Sequence, residues 1–356
     1  MTEQTIAQVG EFPLIDSLVT PLSMGPQVQL GPGDDGAVVT IDGSMVVSVD
    51  LLIENSHFRR DWSSAHDVGR KAIAVNVADI EAMGAQPLTV VLGFSTPADL
   101  PVRWAREFMA GMAQEAQLAG VSIVGGDTTN GEIISISVTV MGQTAELAPV
   151  RRDGAQVGDE VAYVGRLGYA AAGLDLLMHG IGWLQPGEGA HQRGFDGSTA
   201  DAARSFQHDV SRYRETIESQ RHPQPPYGQG RVAARAGAHA MIDVSDGLIA
   251  DLGHIAQNSG VRVNLRSEAF IIAEPVRAAA ERIDTDPMTW MLTGGEDHAL
   301  VATFAPGTVP EGWTVIGSVD AAAGPDAAGS APMGHPCIMV DGQQWQGAGG
   351  WTHFSS

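Results

Sequence analysis

The spacing of apolar and polar positions reads as strands and helices in alternation. Ile134, Ile136, Val138 and Val140 alternate with Ser135, Ser137 and Thr139, the period of two that belongs to a half-buried strand. Met45-Val46-Val47-Ser48-Val49-Asp50 reads as a strand ending on an acid, and Leu88 to Phe94 as a strand of the fully buried kind. Between them the spacing is helical. Ser64-x-x-Asp67 forms a capping box for a helix running to about Met83, with Gly84 as its stop and Val68, Ala72 and Val75 as its apolar stripe. Asn76 and Asp79 are three apart and share a face of that helix. A second helix runs from about Val102 to Ala119, with Trp104, Phe108 and Met112 at spacing four and Gly120 behind it. Such interleaving places the chain in the mixed α and β class.

The same alternation continues downstream. Ser122-Ile123-Val124 is a short strand delivering a Gly125-Gly126-Asp127-Thr128 turn. Ala145 to Pro149 breaks the pattern, which predicts an N-terminal domain over 1–147 and a C-terminal domain over 148–356. The second half carries Arg151-Arg152-Asp153-Gly154, a strand at Glu160 to Val164 and a helix near Ala170 to Met178. Residues 181–230 are rich in Gly, Gln, His and Pro without apolar period and read as a long loop or insertion. Met241-Ile242-Asp243-Val244-Ser245-Asp246-Gly247-Leu248 then brings acids from a strand to a helix start, with that helix ending near Asn258. Thr293-Gly294-Gly295-Glu296-Asp297 leads into a strand at Ala299 to Phe304, and the chain closes on Gly350-Trp351-Thr352-His353-Phe354.

Charge narrows the partners. With 20 basic against 42 acidic residues the formal charge is -22, which disfavours nucleic acid or an anionic membrane and suits divalent cations. The single cysteine, Cys337, leaves no disulfide framework and no cysteine-based zinc cluster, and fits a reducing, cytoplasmic setting. No apolar run approaches the ~20 residues of a membrane span, and the first residues lack the features of a signal peptide.

The stretch Leu30 to Val39, L-G-P-G-D-D-G-A-V-V, brings in candidate chemistry. Gly31, Gly33 and Gly36 satisfy G-x-G-x-x-G as a bare pattern. A dinucleotide loop opens a helix whose N-terminus holds the pyrophosphate, but Ala37 to Ile41 is β-branched and strand-like. The stretch therefore reads as a hairpin corner presenting carboxylates to metal. Further acids sit at strand ends or beside glycine: Asp34, Asp35, Asp50, Asp79, Asp127, Asp243, Asp246, Glu296 and Asp297. Singly, each is explained as a turn former or helix cap. As a set they are harder to explain so. Two carboxylates ~4 Å apart repel by about 4 kcal/mol at an effective dielectric near 20, so converging acids require cations or raised pKa values. Oxygen-only ligation points to Mg²⁺ or a similar hard ion, and several such ions with glycine-rich turns point to phosphoryl transfer from ATP. Neither G-x-x-x-x-G-K-[S/T] nor an H-R-D loop is present.

Taken together, G-D-D-G-A, S-V-D-x6-H-F, V-N-V-A-D-I-E-A-M-G-A-Q-P, G-G-D-T-T, D-V-S-D-G-L and G-G-E-D resemble the thiamine-monophosphate kinase family, in order along nearly the whole chain. That family shares its fold with aminoimidazole ribonucleotide synthetase, selenophosphate synthetase and the hydrogenase-maturation carbamoyl dehydratase. The resemblance implies an α+β architecture of two α/β domains, with mixed sheets flanked by helices and the N-terminal sheet forming a barrel across a homodimer. It also implies magnesium ligation by Asp35, Asp50, Asp79, Asp127, Asp243 and Asp246, with Ser48 and the Val49 carbonyl assisting. Asp127 and Asp246 would stand closest to the chemistry. Gly126, Asp127, Arg152 and Ser245 fall where the family contacts ATP, and His57, Glu296, Asp297 and Trp351 where it holds thiamine monophosphate. An aromatic face suits the thiazolium cation.

Three positions depart from the family pattern: Val49 for a usual Thr, Ala78 for a common Ser, and His298-Ala299 for the usual Tyr-Glu. The reaction implied is in-line transfer of the γ-phosphoryl group of ATP to the acceptor's phosphate. That acceptor is already an anion and requires no general base, so positioning and charge neutralisation supply the acceleration. Within the fold the alternatives are weaker. Selenophosphate synthetase needs a reactive residue near the N-terminus, and the dehydratase ends on a cysteine where this chain ends T-H-F-S-S. Aminoimidazole ribonucleotide synthetase would not explain D-V-S-D-G-L and G-W-T-H-F as well. A non-catalytic acidic protein that merely binds divalent ions is the reading from another class.

Overall fold

A computed structural model describes residues 4–184, 211–322 and 338–351. Two short helices, α1 (Ile6–Val9) and α2 (Glu11–Val19), lead into a hairpin of β1 (Val28–Leu30) and β2 (Val38–Val39). Val28 pairs with Val39 and Leu30 with Val38, antiparallel. The glycine-rich stretch is thus a hairpin turn with Asp34 and Asp35 exposed at its tip, and a strand follows it.

Next come β3 (Met45–Ile53), α3 (Ala65–Ala82), β4 (Gln86–Thr96), α4 (Val102–Ala119), β5 (Ser122–Asn130) and β6 (Ser135–Gln143). The last four strands form a mixed sheet in the order β3-β6-β4-β5, parallel only between β4 and β5. The capping box is present: Ser64 Oγ accepts from the Asp67 amide and the Asp67 carboxylate accepts from the Ser64 amide, both at 3.1 Å. α3 and α4 cross closely because glycine faces backbone on each. A Cβ at Gly69 or Gly111 would lie 2.0 Å from the carbonyl of Phe108 or His66. The expected aromatic stripe is core, with Phe94, Trp104 and Phe108 stacked at centroid distances of 5.0 to 6.3 Å.

Two expected boundaries move. β3 continues past Asp50 because the alternation holds, Leu51 facing out and Leu52 into the core. Gly125 to Thr128 is no turn but the middle of β5, an edge strand paired with β4 alone. Glycine is required there, since a Cβ at Gly126 would strike the Leu92 carbonyl at 2.3 Å.

The second half contains β7 (Glu160–Val164), α5 (Tyr169–Met178), α6 (Arg214–Arg221), α7 (Gln229–Arg235), β8 (Ala240–Val244), α8 (Leu248–Ser259) and β9 (Val261–Leu265). It is completed by α9 (Glu274–Ile283), α10 (Pro287–Thr293), β10 (Ala299–Phe304), β11 (Thr314–Ala321), β12 (Ile338–Val340) and β13 (Gln343–Gln344). Its strands form one sheet in the order β13-β12-β9-β11-β7-β10-β8, parallel only between β12 and β9.

The loop expected over 181–230 is corrected in part: α6 and the start of α7 lie within it. Residues 185–210 are outside the described residues. The helix is hard to see in the sequence because its buried face is Thr216, Ile217, Ser219 and Gln220, mostly polar. Close approach compensates, a Cβ at Gly173 of α5 standing only 2.1 Å from the Thr216 carbonyl.

α3 packs on both halves. The buried Glu81 carboxylate accepts from the amides of Gly228 at 2.7 Å and Gly230 at 3.0 Å. Glu115 of α4 accepts from Tyr227 Oη at 2.8 Å and Arg70 Nε at 2.7 Å. His222 sits beside Arg70 and Asp67; burial, then the Arg70 charge, pushes its imidazole down to about 4. The seam between the halves thus carries several buried polar contacts beside the apolar packing of Ala82 on Val150 and Ala233. It fixes α3, and with it Lys71, Asn76 and Asp79, against the C-terminal sheet. No described helix is long and apolar enough to cross a membrane.

Candidate active site

The edge strand β3 aims Ser48 and Asp50 at α3, while Val49 points the opposite way and is 57% exposed. Ser48 Oγ donates to Asp79 Oδ2 at 2.6 Å. The Asp50 amide donates to Asn76 Oδ1 at 2.9 Å, and Asn76 Nδ2 donates back to the Ala72 carbonyl at 2.9 Å. Asn76 and Asp79 thus use their shared helical face to meet alternate residues of one strand. From the other half, β8 supplies Asp243, only 3% exposed, within 2.9 Å of His298 Nδ1. Register accounts for that contact, because β10 begins at Ala299 opposite Val244.

These carboxylates feel one another. Burial, then the charges of Asp243 and Asp50, pushes Asp79 up to about 7, although Ser48 and His298 favour its ionised form. Burial also raises Asp50, with Asp243 and Glu296 adding to the shift and His298 and His57 opposing it. Burial alone would lower His298, but the Asp243 hydrogen bond and charge outweigh it and hold the imidazole above its ordinary value. Ser48, Asp50, Asp79 and Asp243 therefore converge from the two sheets and α3. Among the described residues no three His, Cys, Asp or Glu side chains stand in a ligating arrangement. The donor set is nonetheless all oxygen, and its mutual repulsion is of the kind a hard divalent cation relieves.

The Val244 to Leu248 loop is shaped by a residue the motif reading did not single out. Asp251 Oδ2 accepts from the amides of Ser245, Asp246 and Gly247 at 3.1 to 3.2 Å. Burial, then Asp243, pushes this carboxyl up to about 7. Its signal was an acid in the first turn of a helix after a strand-end loop. Around that loop backbones touch. The Trp351 amide donates to the Asp246 carbonyl at 2.9 Å and the Glu296 amide to the Ser245 carbonyl at 2.8 Å. A Cβ at Gly295 or Gly350 would meet those carbonyls at 2.5 or 2.2 Å. Trp351 is 65% exposed.

Glu296 and His298 both hold positive φ, 68° and 52°, a backbone state that non-glycine residues adopt only where surroundings enforce it. Glu296 pairs with Lys71, a wholly buried lysine of α3. Although burial opposes ionisation, the Lys71 charge and hydrogen bond hold Glu296 below the usual carboxylate range. His57 Nδ1 accepts from the Ile53 amide at 3.1 Å. Asp297 faces inward instead: 2% exposed, it accepts from the amides of Gly168 at 2.5 Å and Ala170 at 2.8 Å, at the start of α5. Burial pushes it up to about 7 against those amides.

The remaining candidates lie at the margins. Asp35 is at the hairpin tip, and Gly126 and Asp127 are exposed on the edge strand β5. No hydrogen bond or ion pair among the described residues joins Asp35 or Asp127 to the converging acids. Arg152 is exposed, its carbonyl accepting from Ser259 Oγ at 3.2 Å.

Comparison with known proteins sets this geometry in context. Residues 33–144 match the N-terminal domain of AIR synthase related proteins. A thiamine-monophosphate kinase of Mycobacterium tuberculosis is 45% identical over 354 residues, covering 98% of this chain and 93% of the relative. The crystal structure of thiamine-monophosphate kinase from Stenotrophomonas maltophilia superposes with a TM-score of 0.74 at 31% identity, covering 94% of this chain and 98% of that one. AaThiL complexed with AMPPCP and TMP superposes with a TM-score of 0.70 at 27% identity, covering 99% and 100%. The chain belongs to the thiamine-monophosphate kinase family and has the AIR synthase-like fold of mixed sheets and helices.

Proposed function

We propose that the chain phosphorylates thiamine monophosphate with ATP, giving thiamine diphosphate and ADP. The observation that carries this reading is the convergence of Asp50, Asp79 and Asp243 from β3, α3 and β8, where burial and neighbouring carboxylates raise Asp79 and Asp50, in a member of this family. An oxygen of the acceptor phosphate bonds to the γ-phosphorus as the bond from that phosphorus to the β,γ-bridging oxygen breaks, and ADP leaves with the electron pair. Mg²⁺ held by Asp35, Asp50, Asp79, Asp127, Asp243 and Asp246, with Ser48 and the Val49 carbonyl, would neutralise the phosphates when bound.

The chain's own residues divide the rest of the work. The Asp251-shaped loop presents Ser245 and Asp246, while Gly126 and Arg152 face solvent and can meet nucleotide phosphate. His57, Glu296 and Trp351 form the acceptor side, with Asp297 bracing the same turn from beneath. This reading goes with two domains divided near 147–148, each built on one of the two larger sheets, with ATP and metal held chiefly by the first. Incubating the purified chain with ATP, Mg²⁺ and thiamine monophosphate should yield thiamine diphosphate and ADP in equal amounts, read by ³¹P NMR. ADP and free phosphate with no thiamine diphosphate would refute the reading.

A homodimer is the second part of the proposal. Met45, Val47, Val49 and Leu51 lie on one face of the edge strand β3 and are 47–57% exposed, a continuous apolar row that a second copy would cover. Sedimentation should give twice the chain mass, and Val47→Asp should give the monomer. A monomeric wild type would remove this part.

A further inference from the structure

Lys71 is among the largest side chains in the wholly buried set, 1% exposed. Its ammonium donates to the His57 carbonyl at 3.1 Å and the Gln220 carbonyl at 3.2 Å and pairs with Glu296. Those partners come from the loop after β3, the end of α6 and the turn before β10. One cation therefore ties three separate segments, two of which carry residues placed on the acceptor side.

A lysine is a poor choice for filling space in a core, since an ammonium must be fully paired to be buried. Here its pairing is directed at a turn whose backbone is constrained. Glu296 sits at φ 68° and His298 at φ 52°, and the Glu296 amide is already committed to the Ser245 carbonyl. The main chain of the turn is thus fixed by the strand-end loop, leaving the Glu296 side chain to be aimed by Lys71. The His57 main chain is held on the same ammonium, so the two acceptor-side residues share one reference point.

We infer that Lys71 is a positioning residue for the acceptor: it aims the Glu296 carboxylate and anchors the His57 loop so that both meet thiamine monophosphate in register. Resting on the acceptor reading above, this adds a residue of α3 that touches neither substrate. Its action is on the acceptor, whereas the residues assigned above to the nucleotide lie on β5, at Arg152 and on the Ser245 loop.

The test is steady-state kinetics of the full chain with each substrate varied in turn. Lys71→Met should raise KM for thiamine monophosphate at least about tenfold while KM for ATP stays within about twofold. A merely structural lysine would reduce the active fraction and lower kcat without that split. Should Lys71→Met fail to fold, Lys71→Gln, which keeps an amide donor for the two carbonyls, supplies the same comparison. An unchanged KM for thiamine monophosphate, or equal rises for both substrates, overturns the inference. Glu296→Gln separates it from its premise: if that change alone leaves acceptor KM untouched, the acceptor reading is what fails. If Glu296→Gln raises it and the lysine variants do not, only the role of Lys71 falls.

Discussion

Two sets of acids with the same sequence signature end in different physical states. Asp79 and Asp243 are drawn between the halves, hydrogen-bonded to Ser48 and His298 respectively, and burial with like charge nearby raises the carboxyls of Asp79 and the adjacent Asp50. Asp35 and Asp127 stand exposed on a hairpin tip and an edge strand. The inner set is held among hydrogen-bond partners, whereas the outer set projects into solvent. A strand-end acid beside glycine therefore does not define a ligand by itself. What distinguishes the two is whether a second sheet closes over it.

The largest effect expected is on turnover at the outer set. Asp127→Asn should lower kcat about 10²–10³-fold with an unchanged melting temperature, measured by a coupled ADP assay beside thermal denaturation. Equal kcat in variant and wild type would remove the metal role assigned to Asp127. Asp297→Ala probes the inner side without touching metal ligands. It leaves the Gly168 and Ala170 amides unpaired and should destabilise by about 3 kcal/mol in urea unfolding. A loss below about 1 kcal/mol would mean that water or another group replaces the carboxylate.

Acidity gives the next, smaller difference. Asp79, Asp251 and Asp297 have folded-state values near 7, each raised above the ordinary carboxylate value of 3.8. Their contribution to stability is fully present below the unfolded value and is lost as pH rises through about 7. Metal-free protein should therefore lose on the order of 2 kcal/mol for each of these groups between pH 5 and pH 8, a loss that Mg²⁺ at pH 8 reverses in part. A flat profile would mean that the inner acids are already compensated. The smallest effect belongs to the helix cap. Ser64→Ala removes a hydrogen bond to the Asp67 amide and should cost about 1 kcal/mol with no change in KM for either substrate.

Much of the scaffold was legible in the sequence. Ser64 and Asp67 announced α3, the Asn76–Asp79 spacing announced the face that meets β3, and the β-branched run after Gly36 ruled out a dinucleotide helix. These features are local, and local spacing is what periodicity records. What remained hidden depends on contacts between the halves. Lys71 looks like an ordinary surface lysine until α6 and the Glu296 turn close over it. α6 hid because Thr216, Ser219 and Gln220 are buried by close approach without an apolar stripe. Asp297 looked like a member of the substrate turn, yet its carboxylate faces the start of α5. His298 was visible only as a departure, and its contact with Asp243 depends on the register of β10 against β8.

The central claim is that the inner acids are held in mutual repulsion that a divalent cation relieves. Melting temperatures of wild type and Asp79→Asn at pH 8, with chelator and then with Mg²⁺, test it most directly. Asp79→Asn should be the more stable protein under chelator, and Mg²⁺ should stabilise the wild type more than the variant. A variant less stable than wild type under chelator, with both proteins responding equally to Mg²⁺, would contradict it.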